Sequence, residues 1–420
     1  MRTVSSKRRA TRSIAFLALA VLVTLAISSL VACQGKKPAG LGGKYRNLLA
    51  EVGVSQADID ARVEKTVEQF FRGTNAQRIY YEFGDGMAYI LDVGNRDVRS
   101  EGMSYGMMFC VQLGMKEEFD RLWKYSHEIL LHKTGDYAGY FAWHATPDGT
   151  IIDKNPAPDG EEYFAMSLLM ASNRWGDGEG IFDYRARAND ILDHMLNHRK
   201  ILGLPPKSWI GDMFDANRNQ VVFVPFGGSA TFSDPSYHLP HFYELFALWA
   251  DKDNDRWRAI AAESRAFFRK ACHPKTGLAP DYADFDGVPV KQGDHYRFEY
   301  DAWRVAMNIA LDSAWWGKDP WQREEWAPTY LSFFSKLGVS MHPDQFDVDG
   351  GNPAGSHSTG LVAMNAVAGL IVPTKVARPF VEEFWLSPIP SGRGRYFDGC
   401  LYLFALLNLS GRYRIIGPTQ

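Results

Sequence analysis

Only four cysteines occur in 420 residues, and none of them, alone or with histidine, is spaced as zinc ligands are. The motifs of several other chemistries are missing as well. There is no HExxH, no GxSxG, no Walker A loop, and no GxGxxG between a strand and a helix. Charge of one sign is also lacking. With 46 Lys+Arg against 49 Asp+Glu the net charge is −3, so no broad basic field exists to hold a nucleic acid. A composition of 46% hydrophobic and 23% charged residues excludes disorder for the body of the chain. Aromatic side chains, by contrast, are plentiful: 12 Trp, 19 Tyr and 26 Phe. Such rings fill large cores, and they also suit the apolar faces of sugars.

The N-terminus reads as an address. Arg2, Lys7, Arg8, Arg9 and Arg12 precede an apolar run from Ile14 to Val31, the layout of a secretory signal. The run is near the length of a membrane span, so an uncleaved anchor is the alternative. Leu30-Val31-Ala32-Cys33 resembles the lipobox of bacterial lipoproteins, which implies lipidation of Cys33 and a membrane anchor. Gln34 in place of Asp implies the outer membrane, with the protein periplasmic or at the cell surface. The expected organisation is a signal peptide over 1–32, a linker over 33–43 and a catalytic domain over 44–420. Cys110 and Cys400 fall in apolar helical stretches, where free cysteine behaves as a small hydrophobe.

Beyond the linker the pattern is helix after helix, with no sustained two-residue alternation. Six segments are amphipathic, near 57–71, 116–132, 184–199, 254–271, 320–336 and 375–386. In the first, Ile59, Val63, Val67 and Phe70 recur at helical spacing among charged residues. Six others, near 101–114, 160–174, 237–250, 301–315, 357–370 and 396–410, are apolar almost all round, and too short or too interrupted to span a bilayer. The two kinds alternate strictly. Such alternation predicts an all-α fold, an (α/α)6 barrel of six inner and six outer helices; no solenoid repeat of 34 or 45 residues is visible.

A polar, aromatic loop precedes each apolar helix. If the inner helices run parallel, those six loops converge at one end of the barrel and form a cleft into which helix N-termini point. That end would gather Glu101, Asp159, Glu161, Glu162, Asp234 and Asp301, with Arg99, Arg304, Tyr237, His238 and His357. Two carboxylates across a sugar-binding cleft suffice for glycoside hydrolysis, one protonating the leaving oxygen and the other activating water. Taken singly, each has an ordinary alternative. Glu101 and Asp301 read as helix-start charges, Asp159 in Pro-Asp-Gly as a turn residue, and Tyr237 and Trp143 as core aromatics.

The motifs DVRSEGMSYGMM (97–108), APDGEEYFA (157–165), DPSYHLPHFYELF (234–246), HPKTGLAPDYA (273–283) and YDAWRVAMNIALD (300–312) resemble glycoside hydrolase family 8. The likeness runs in order from about Lys44 to Tyr413 and is greatest to the members that release xylose from the reducing end of xylo-oligosaccharides. It implies an inverting hydrolase of β-1,4-linked xylose chains on an (α/α)6 barrel. By resemblance Glu101 is the general acid and Asp301 the general base. Asp159 contacts the central sugar, Tyr237 positions the attacking water, and Arg304 pairs with the base. Trp143 is the candidate sugar platform, and Arg99 and His357 are further candidates for substrate contact. No metal or other cofactor is implied, because the acid and base perform all proton transfer.

One departure concerns the end of the cleft. In the reducing-end exo members a Leu-His-Pro kink before the tenth helix closes the cleft, and its histidine reads the terminal sugar. Here the segment is Gly355-Ser356-His357-Ser358, which keeps the histidine without its flanking Leu and Pro. The expected partner is therefore a xylo-oligosaccharide or xylan. An endo-xylanase is the alternative, followed by an endo-glucanase and by a non-catalytic glycan-binding lipoprotein.

Overall fold

A computed structural model describes residues 38–418, and every structural statement below concerns these. The signal segment and Cys33 lie outside them. Twelve principal helices alternate along the chain as the apolar patterning requires. The odd-numbered, outer ones are α1 (Gln56–Arg72), α3 (Lys116–Tyr125), α5 (Tyr184–Leu202), α7 (Asn254–Ala271), α9 (Ala327–Leu337) and α11 (Thr374–Leu386). The even-numbered, inner ones are α2 (Ser100–Leu113), α4 (Pro158–Trp175), α6 (Pro240–Trp249), α8 (Arg304–Trp315), α10 (Thr359–Ala368) and α12 (Phe397–Leu409). Each inner helix packs on the next, and α12 closes back on α2. An all-α barrel results.

Local chemistry fixes the two helix types. In α1, Ser55 caps the N-terminus by accepting the Asp58 N–H at 3.1 Å, and Ile59, Val63, Thr66 and Phe70 are buried along one stripe. In α12 every residue from Gly399 to Leu409 is buried, as befits a helix surrounded by protein. Pro158 opens α4, where its missing N–H costs nothing. Three short antiparallel sheets decorate the loops, among them Tyr80–Phe83 with Met87–Ile90. These strands are too brief to write an alternating pattern into the sequence.

The compact unit begins at Ala39 rather than at Lys44. The Tyr45 hydroxyl donates to the Gly40 carbonyl at 2.7 Å, and a Cβ on Gly40 would meet Ile415 and Trp315 within about 3 Å. The last residues of the expected linker thus belong to the domain, because a glycine there admits close packing. Cys110, Cys272 and Cys400 are buried free thiols.

A buried ion cluster ties outer helix to inner. Arg265 on α7 reaches Asp312 on α8 through two bonds of 2.7 and 2.6 Å, and Glu244 on α6 at 2.8 Å. Removing one partner of such a buried set leaves the others uncompensated. Arg265→Ala should therefore lower unfolding stability by about 3–5 kcal/mol. Denaturant titration checks this, and an unchanged midpoint would deny the cluster its structural role.

Candidate active site

The segments leading into α2, α8, α10 and α12 wall a cavity of about 780 Å³, and Asp159 at the start of α4 and Ser236 ahead of α6 reach Arg304 beside it. Glu101, from the first turn of α2, and Asp301, from the 3₁₀ turn Tyr300–Trp303 that leads into α8, both line it. Arg304 lies beneath them, almost wholly buried. Its Nη1 donates to Glu101 Oε2 at 2.8 Å, to the Tyr105 hydroxyl at 2.8 Å and to Asp159 Oδ2 at 2.9 Å. Its Nη2 donates to Ser236 Oγ at 2.9 Å and pairs with Asp301 Oδ1 at 3.0 Å. The arginine expected to pair with one carboxylate bridges three.

Close backbone approach makes this packing possible. A Cβ on Gly102 would come within 2.6 Å of the Tyr396 ring, and one on Gly160 within 2.6 Å of Ser100 Oγ. Gly102 thus lets Tyr396 reach Glu101, whose Oε1 accepts the tyrosine hydroxyl at 2.8 Å. Asp159 is also tied by its Oδ1, which accepts the Gly160 N–H at 2.9 Å.

Electrostatics separate the carboxylates. Burial pushes the Glu101 carboxyl up; Arg304 opposes this, and the like charge of Asp301 reinforces it. Glu101 in turn adds to the upward push on Asp159. Asp159 is raised to about 7, chiefly by burial, with Arg304 pulling it back. Arg99 bears less on Glu101 than does Arg304, since it pairs with Asp97 at 3.1 Å and Asp92 at 3.2 Å. Asp301 keeps a third of its side chain open to the cavity, where water can reach it.

The other candidates divide. Tyr237 is buried with its ring 5.7 Å from the Arg304 guanidinium, beside the cluster. Arg99 lines the cavity and stands 5.7 Å over the Trp143 ring, which stacks on His144. Trp143 itself is half-buried and outside the cavity lining. Glu161, Glu162 and Asp234 are buried in the walls. Glu161 accepts the Phe141 N–H, Glu162 the Tyr243 hydroxyl and Asp234 the Ser236 N–H. His238 is clasped between Ser233 and Ser264. His357 turns from the cavity: its Nδ1 lies 3.0 Å from the His342 carbonyl and its Nε2 3.6 Å from Glu383 on α11. Its neighbours Ser356 and Ser358 line the cavity instead.

Tyr396 was missed as a site residue, although its loop belongs to the convergent set; a lone tyrosine gives no signal of the acid it will touch. Among the described residues, Asp281, His295 and Glu299 bring potential metal-ligand atoms within 4.8 Å of one another. Both Asp281 oxygens are already engaged, by the Ala302 N–H and by the His295 ring.

The hydrogen bond from Tyr396 favours the ionised form of Glu101. Without it Glu101 should hold its proton to higher pH. Tyr396→Phe should therefore move the alkaline limb of the kcat/KM profile upward, with less than about 10-fold loss of rate at neutral pH. A downward or absent shift would contradict Glu101 as the proton donor.

Comparison with known proteins agrees with this geometry. The family model for glycosyl hydrolases family 8 matches residues 85–411. The reducing-end xylose-releasing exo-oligoxylanase Rex8A of Paenibacillus barcinonensis is 47% identical over 379 residues, which is 89% of this chain and 97% of that protein. A reducing end xylose-releasing exo-oligoxylanase of Halalkalibacterium halodurans is 44% identical over 378 residues, 89% of this chain and 95% of that one. The solved structure of Rex8A complexed with xylose superposes with a TM-score of 0.85 at 46% identity, covering 91% of this chain and 100% of that chain. With its barrel, its carboxylates gathered on one arginine, and relatives alike over nearly their whole length, the chain belongs to family 8 of the glycosyl hydrolases.

Proposed function

We infer that the protein is an inverting hydrolase that releases xylose from the reducing end of β-1,4-linked xylo-oligosaccharides. The observation that carries this reading is the near-full-length likeness to two exo-oligoxylanases, joined to a buried acid and an open carboxylate on opposite arms of one guanidinium. Glu101, whose carboxyl burial pushes up, gives its proton to the leaving glycosidic oxygen. Asp301 takes a proton from water as that water attacks the anomeric carbon from the far side. The C–O bond to the leaving sugar breaks, and the new anomeric hydroxyl is inverted from β to α. In inverting enzymes the two carboxyls stand about 6.5–9.5 Å apart to admit that water. Bridging through one guanidinium suits such a spacing. Asp159 and Tyr237, packed beside Arg304, serve to hold the sugar and the water.

His357 is the observation that favours a second reading. Turned toward Glu383, and set in a Gly/Ser loop, it leaves no histidine at the cavity end, which would suit an open-cleft endo-xylanase. Xylotriose labelled at its reducing end decides between them. The label should appear in free xylose, the remaining disaccharide should emerge as the α-anomer in NMR of fresh digests, and polymeric xylan should hardly react. Rapid viscosity loss and mid-sized products from xylan would establish endo action instead, and a β-anomer would overturn inversion.

We further propose that the protein is exported and held to the outer membrane by a lipid on Cys33, with xylo-oligosaccharides reaching it outside the cytoplasm. The basic segment, the apolar run and the Leu30–Cys33 sequence support this. Membrane fractionation tests it. The wild type should sediment with membranes and Cys33→Ser should not, whereas equal partitioning would dismiss the anchor.

A further inference from the structure

Asp301 stands on a short 3₁₀ turn, so its aim depends on whatever holds that turn still. One tie is a backbone bridge, in which Phe298 and Phe346 exchange hydrogen bonds of 2.8 and 3.0 Å. Trp303 Nε1 also donates to the Asp344 carbonyl at 3.0 Å, and a further tie is a carboxylate. Asp281 Oδ1 accepts the N–H of Ala302, the residue directly after the base, at 3.0 Å. Asp281 Oδ2 lies 3.1 Å from His295 Nδ1, and the His295 ring stacks on Tyr282 with centroids 4.3 Å apart. Backbone bonds of 2.8 Å from Asp281 to Arg297 and from Tyr282 to His295 pin these two segments together. Asp281 is only 1% exposed and lies outside the cavity lining, so it does not touch substrate.

We propose that Asp281, aimed by His295, is a positioning residue for the general base: it fixes the Asp301–Ala302 peptide so that the Asp301 carboxylate stays on Arg304 and on the attacking water. This rests on the reading of Asp301 as the base. The surroundings agree with a tie that has one working geometry. Burial and the like charge of Asp301 push the Asp281 carboxyl up, and Glu299, Arg304 and Asp234 complete its charged environment. A carboxyl so placed persists because both its oxygens are engaged. Glu299 stands behind His295 at 4.0 Å and gives its own carbonyl to the same Ala302 N–H at 2.8 Å. The base is therefore held from behind by groups that never meet the sugar. A small displacement of a reacting group is enough to slow chemistry without weakening binding.

The test compares three variants on xylotriose. Asp281→Ala removes the side-chain acceptor, leaving the Ala302 N–H to the Glu299 carbonyl alone, and should lower kcat about 10- to 100-fold while KM changes less than about 2-fold. Asp281→Asn keeps an oxygen for the Ala302 N–H and should recover kcat to within about 5-fold of wild type. Asp301→Asn calibrates the base itself and should abolish turnover. Wild-type kcat in Asp281→Ala, a loss expressed in KM, or an asparagine no better than alanine would overturn the positioning role. If Asp301→Asn keeps its activity, the base assignment fails. If Asp301→Asn is dead while Asp281→Ala is unimpaired, only the positioning role fails.

Discussion

The Arg304 guanidinium is the interaction on which the site depends. One buried cation meets Glu101, Asp159 and Asp301, so its single charge cannot balance three carboxylates in a place that water does not reach freely. That imbalance favours a protonated carboxyl within the group. Burial is greater for Glu101 and Asp159 than for Asp301, and it pushes both of the more buried carboxyls toward their protonated forms. Burial and exposure thus set Glu101 apart from Asp301. The same arginine fixes geometry, since its planar fork joins helices α2, α4 and α8 through side chains that diverge in sequence.

The barrel supplies what that arginine needs. The segments that lead into α2, α8, α10 and α12 line the cavity, and glycines at 102 and 160 allow the contacts that place Tyr396 and Ser100. Outer helices hold the ring through buried ion pairs such as Arg265 with Asp312, so the cavity floor is braced from behind. Glu101 takes its rigidity from α2, which is buried nearly all round, whereas Asp301 on its 3₁₀ turn depends on ties from neighbouring segments.

Much of this was legible in the sequence. All-round apolar helices alternating with amphipathic ones gave the barrel, because burial on every side leaves a different pattern from burial on one. The carboxylates at helix starts were legible through their motifs. Less visible was that Arg304 would reach Glu101 and Asp159, which lie 203 and 145 residues away, since no local periodicity encodes such a meeting. Tyr396 and Asp281 were hidden for the same reason: their importance is a matter of which distant atom they touch. His357 shows the opposite case. The residue type was present in the motif, but side-chain direction depends on neighbours such as His342 and Glu383, and here these draw it away from the cavity.

The two ends of the domain meet on the floor of the barrel, near the C-terminal ends of the inner helices. Tyr45 accepts the Ile415 N–H at 2.9 Å, and Arg414 exchanges backbone hydrogen bonds with the Gln112 side chain at the end of α2. The substrate mouth lies at the other end. The ends of the domain and the site of turnover are consequently separated by the height of the barrel. A tether at either terminus, a fused partner, or a short peptide joining the two ends into a circular permutant would load the floor and leave the path of the sugar chain unobstructed.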